Sequence, residues 1–109
     1  MRPSQPAELL RIHISESDRE QGKPLYEAIV AKCRELKIAG VSVFAGLEGY
    51  GETAEIHRAH VLRSDRPILI VVVDTPENIR RLVPALENML DTGLLATSAV
   101  EMIRVEKPR

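Results

Sequence analysis

Six consecutive apolar residues, Ile68-Leu69-Ile70-Val71-Val72-Val73, constrain this chain more than any other feature. The run reads as a β-strand. A strand with one face in water alternates apolar and polar side chains, and this one does not. Both of its faces therefore need cover.

The periodicity around the run supplies cover for one face. Leu10 to Ser15 alternate, as a half-buried strand does, and Ser15 to Gly22 reads as a polar loop. Pro24 opens a helix at its first turn, where a missing N–H costs nothing. Leu25, Ile29, Cys33 and Leu36 recur at helical spacing, Lys37 complements the helix dipole, and Gly40 marks the exit. Val41 to Ala45 is a short second strand. After the apolar run, Thr75 is a good N-cap and Pro76 a good first residue for a second helix. Its buried stripe is Ile79, Leu82, Val83, Leu86 and Leu90; Pro84 falls inside it, and Gly93 ends the segment. Ala99 to Val105 reads as the fourth strand. The order β-α-β-β-α-β predicts an α+β, ferredoxin-like fold: a four-stranded antiparallel sheet with two helices on one face. The second face of the apolar strand then has no cover from its own chain, which predicts a stable homo-oligomer.

A chain of 109 residues fits one domain, here residues 8–105 between flexible ends at 1–7 and 106–109. A net charge of −1 argues against a nucleic-acid footprint. Only Tyr26, Phe44 and Tyr50 are aromatic, too few for a base-stacking sheet. The single cysteine, Cys33, excludes an internal disulfide and fits a reducing cytoplasm; its place on the helix stripe reads as core. No stretch reaches the ~20 apolar residues of a membrane span, so membrane insertion is not expected.

Chemistry concentrates between the second and third strands. Gly46-Leu47-Glu48-Gly49-Tyr50-Gly51 carries three glycines, and a long polar segment follows to Arg66. Glycines permit positive φ, which serves either a tight turn or a nest of N–H groups for an anion. The spacing matches neither the dinucleotide fingerprint nor a P-loop. Glu52 to Leu62 has helical character, with His57 and His60 on one face; two histidines need a third ligand to hold a metal. Arg58 and Arg63 suit a phosphate, which guanidinium meets with two hydrogen bonds. Glu16 and Asp18, beside Lys23, are conceivable as a carboxylate pair, with a charged loop as the default. Asp65-Arg66-Pro67 reads as a turn leading into the third strand. No nucleophile elbow or catalytic triad motif is present, and no enzymatic activity is expected.

The combination of Gly22-Lys23-Pro24-Leu25-Tyr26-Glu27-Ala28-Ile29-Val30, Ile38-Ala39-Gly40-Val41, the glycine turn, Ile56-His57 and Pro67-Ile68 resembles the PII-like family known as domain of unknown function 190. The resemblance implies a homotrimer related to nitrogen-regulatory PII proteins, with the sheets facing the trimer centre. It implies a non-enzymatic signalling role in which residues 47–66 contact a partner protein. It further implies an adenine nucleotide (AMP, ADP or ATP) in the inter-subunit clefts. The matching positions are Gly46, Gly49, Tyr50 and Gly51 in the turn, Gly93 and Leu94 before the fourth strand, and Arg58 and Arg104 as phosphate contacts. Two departures stand out. The PII uridylylation tyrosine has no counterpart, and Gly93 is followed by Leu94 rather than by lysine, which favours a smaller nucleotide over a triphosphate. The related trimeric CutA family offers an alternative, a metal-binding or metal-tolerance role resting on His57 and His60.

Overall fold

A computed structural model describes residues 3–50, 56–58 and 65–107. In chain order the elements are β1 (Gln5–Ser15), β2 (Arg19–Glu20), β3 (Lys23–Pro24), α1 (Leu25–Glu35), β4 (Val41–Ala45), β5 (Glu48–Tyr50), β6 (Ile56–Arg58), β7 (Pro67–Asp74), α2 (Pro76–Met89) and β8 (Leu94–Met102). Strands β4, β7, β1 and β8 lie in that order in one four-stranded sheet, and every pairing is antiparallel. The expected ferredoxin-like fold is the one observed.

The apolar run forms most of β7, between β1 and β4. Strand geometry sends successive side chains to opposite faces. Ile68, Ile70 and Val72 join Leu10, Ile12 and Ile14 of β1 in the core, under Leu25, Ile29 and Cys33 of α1 and Ile79, Leu82 and Leu86 of α2. Each such side chain contributes roughly 1.5–3 kcal/mol by leaving water. The Cys33 thiol is buried there, and burial pushes its pKa up to about 11. Leu69, Val71 and Val73 point the other way and stay half-buried. Phe44, opposite Leu69, is 54% exposed, and Leu94, opposite His13, is 58% exposed. One face of the sheet is thus packed under helices, and the other is apolar and open.

Several boundaries differ from the sequence reading. β1 starts at Gln5 rather than Leu10, because Gln5, Pro6 and Ala7 pair with Met102, Glu101 and Val100. Residues 5–7, expected in a loose end, are therefore strand. β8 spans Leu94–Met102, not Ala99–Val105; the β1 ladder begins opposite Leu94 and runs out at Met102. The polar loop after β1 contains the small hairpin of β2 and β3, turned by Gln21 (φ 52°) and Gly22 (φ 82°). Two residues at positive φ match the right-handed twist of the flanking strands. Helix α1 ends before Gly40. Lys37 takes φ 62°, its N–H bonds Arg34 O at 3.1 Å, and Ile38 N–H bonds Cys33 O at 2.9 Å. These are the two bonds of a Schellman cap, with lysine where glycine is usual. Helix α2 begins as expected: Thr75 Oγ1 accepts from Asn78 N–H at 3.2 Å, and the helix continues through Pro84.

Asp74 joins the two halves of the fold. Its buried carboxylate accepts from Ala39 N–H at 2.9 Å, Thr75 N–H at 2.7 Å and the Asn78 amide at 3.0 Å. It fixes the connection after α1 to the start of α2. Burial alone would raise its pKa, but these hydrogen bonds outweigh burial and hold it below the usual carboxylate range. A folded pKa below the unfolded one stabilises the fold above the unfolded pKa and is lost as pH falls through the folded value.

Two outcomes follow for urea denaturation. Asp74→Ala lowers stability by about 2–3 kcal/mol, the cost of leaving buried donors unpaired. The gap from the parent stays constant from neutral pH down to about pH 5 and narrows in stronger acid. Lys37→Gly raises stability by about 1 kcal/mol by relieving the left-handed backbone.

Candidate functional site

The sheet register brings the connection after β4 and the turn before β8 to one end of the sheet. Ser15 faces Pro67, Ala45 faces Ile68, and His13 faces Leu94. The chain from Gly46 to Arg66 and the turn Asp91-Thr92-Gly93 therefore both leave from this end.

Gly46 starts the long connection, but not for the reason its type suggests. It does not adopt positive φ; a Cβ there would sit 2.9 Å from Pro67 Cγ. Its N–H donates to Pro67 O at 2.7 Å, so that group is used by the fold rather than offered to an anion. β5 and β6 then form an antiparallel ribbon with Glu48 opposite Arg58, Gly49 opposite His57 and Tyr50 opposite Ile56. Gly49, Tyr50 and Arg58 are thereby brought onto one two-stranded arm. The helical reading of residues 52–62 does not hold at Ile56–Arg58, which are extended. His57 thus loses the helix face it was to share with His60. Gly51, His60 and Arg63 lie outside the described residues.

A polar clamp ties the stem of this connection to the end of β1. Arg66 Nε and Nη2 donate to the two Glu16 oxygens at 2.9 and 2.8 Å, and Glu16 N–H donates to Arg66 O at 2.8 Å. The Arg66 hydrogen bonds hold the Glu16 carboxyl below its usual range. Ser15 Oγ and Ser17 Oγ both donate to Asp65, the latter at 2.8 Å. Asp18 Oδ2 accepts from Ser15 N–H at 2.9 Å, closing the turn after β1. Glu16 and Asp18 are thus committed to structure rather than paired with each other as acid and base. The clamp was not legible in the chain: its partners are 50 residues apart and each is an ordinary polar loop residue.

On the other side of the sheet, Gly93 has φ 147°, and a Cβ there would lie 2.8 Å from Leu90 Cδ2 and 3.1 Å from His13 O. Leu94 begins β8 beside it. Gly46 adjoins the β4 edge and Gly93 the β8 edge, so three strand spacings, about 14 Å, separate them within one chain. Arg104 was expected late on the fourth strand. It follows the end of β8, about 30 Å along the strand direction from Gly93 and at the opposite end of the sheet. One chain does not bring Arg104 and Gly93 together.

Among the described residues, no group of three or more His, Cys, Asp or Glu side chains is placed to hold a metal ion. No described helix is long and apolar enough to cross a membrane.

Comparison with known proteins adds family and fold. The DUF190 family model, described as Uncharacterized ACR, matches residues 7–102. A UPF0166 protein of Aquifex aeolicus is 35% identical over 97 residues, covering 87% of this chain and 91% of the relative. Among solved structures, CPII, a nitrogen regulatory PII-like protein of Thiomonas intermedia K12 bound to ADP, AMP and bicarbonate, superposes with a TM-score of 0.72 at 16% identity. The match covers 95% of this chain and 94% of CPII. CutA1 of Oryza sativa gives 0.60 at 12% identity, covering 93% of this chain and 84% of CutA1. At these identities the structural likeness establishes the fold.

The turn before β8 yields a direct check. Gly93→Ala destabilises the protein by about 1–3 kcal/mol, through its φ and its contacts with Leu90 and His13. Gly40→Ala, where a Cβ meets nothing within 4 Å, changes thermal stability by no more than about 0.5 kcal/mol.

Proposed function

The chain belongs to the DUF190 family, and from that premise we propose that it is a PII-like, non-enzymatic signalling protein acting as a homotrimer. An adenine nucleotide enters each inter-subunit cleft, and residues 47–66 carry its signal to a partner protein in the cytoplasm. The observation that carries this reading is the placement of Gly46 and Gly93 at the same end of the sheet but on opposite edges. A ligand of nucleotide size that touches both regions fits most simply where the β4 edge of one copy meets the β8 edge of the next. The same assembly supplies cover for the open apolar face. Arg104, remote from Gly93 in its own chain, then serves a cleft only through another copy.

The bound ADP and AMP of CPII, a protein of the same fold, support this ligand class. The leucine after Gly93 supports a mono- or diphosphate, since the PII glycine-lysine phosphate contact is missing. Within the site, Gly49 and Tyr50 belong to the arm, and Arg58, opposite Glu48 at its base, supplies a guanidinium for phosphate. The clamp between Glu16 and Arg66 holds the stem while the arm beyond it responds. A nucleotide changes partner binding only by favouring one arm conformation over another. The metal-tolerance alternative has less behind it: CutA1 is the more distant fold match, and His57 lies on a strand.

Isothermal titration with AMP, ADP, ATP and cyclic nucleotides separates these readings. Heat with AMP or ADP is expected, and Arg58→Ala weakens that binding about tenfold, as loss of a charge-assisted hydrogen bond does. Absence of heat with every nucleotide contradicts the nucleotide role.

A further inference from the structure

The open face of the sheet carries one feature that its apolar character does not explain. Arg11 lies mid-strand on β1, opposite Val71 of β7 and Ala96 of β8. By strand alternation it shares the open face with Leu9, Leu69, Val73 and Phe44. It is half-buried, and it makes no hydrogen bond or ion pair among the described residues. His13 follows two residues later on the same face and is exposed. The described strands place no aspartate or glutamate on that face: Glu8, Asp74 and Glu101 fall in the opposite register. A guanidinium surrounded by apolar side chains is tolerated while water reaches it. Covering the face with the same face of further copies removes that water, and brings more arginines and, from the described strands, no compensating carboxylate.

We propose that the covered face binds an inorganic oxyanion of the phosphate class, held by Arg11 with the His13 ring as a further donor, and that this anion is a component of the assembly. The inference rests on the proposed oligomer. Guanidinium is the side chain best matched to a tetrahedral oxyanion, which it meets with two parallel N–H···O bonds. Arg11 lies over the middle of the sheet, away from the strand ends where the nucleotide clefts are proposed, and His13, opposite Leu94, lies between the two. Assembly then becomes coupled to anion concentration by mass action, since only the assembled face offers the complete site.

Sedimentation equilibrium of the full chain tests this, with inorganic phosphate titrated against methanesulfonate at constant ionic strength. Phosphate is expected to tighten assembly about tenfold once it exceeds its dissociation constant roughly tenfold. Arg11→Met is expected to assemble without phosphate and to show no phosphate dependence, because an apolar side chain of similar length replaces the buried charge. An oligomer whose affinity is indifferent to phosphate overturns the anion site and leaves the oligomer standing. Undiminished phosphate dependence in Arg11→Met also overturns it. A chain that stays monomeric in both salts overturns the oligomer and the anion site together.

Discussion

Ile68, Ile70 and Val72 pack beneath two helices, while Leu69, Val71 and Val73 of the same strand face away from every described helix. This division of β7 is the constraint on which the rest depends. The helix-side face makes the subunit fold, because it unites both central strands and both helices in one core. In the proposed homotrimer the opposite face supplies the driving force for association, since a central strand with apolar residues on both sides gains little by leaving one side in water. Phe44 and Leu94 extend the exposed apolar surface toward the two edges of the sheet.

The sheet also explains why the candidate site is divided. Antiparallel pairing in the order β4, β7, β1, β8 sends the ends of β4 and β8 that matter to the same end but to opposite edges. Neither edge alone holds more than part of the proposed ligand site. Residues 47–66 leave from one edge, anchored by the Glu16–Arg66 pair and by the Asp65 contacts with Ser15 and Ser17. The two parallel hydrogen bonds of this pair fix its geometry.

The fold was legible where local periodicity and burial agree. The apolar run, the helix stripes and the Thr75-Pro76 start of α2 all follow from side-chain spacing. Boundaries set by pairing were not: Gln5–Ala7 become strand only because Met102, Glu101 and Val100 lie beside them. Lys37 ends α1 because the Schellman hydrogen bonds outweigh the preference for glycine at that position. At the candidate site, glycine identity was informative and its reason was not. Gly46 is needed for close approach to Pro67, and Gly93 for its φ and its packing on Leu90. Glu16 and Arg66 find each other across 50 residues, a distance at which no sequence pattern speaks.

In the proposed homotrimer, copies of this chain cover the open face of its sheet. Light scattering coupled to size exclusion, at micromolar concentration in phosphate buffer, measures it most directly. A mass three times the 12.2 kDa of the chain is expected. A mass of 12.2 kDa at every concentration would contradict it, and would leave the second face of β7 without a purpose.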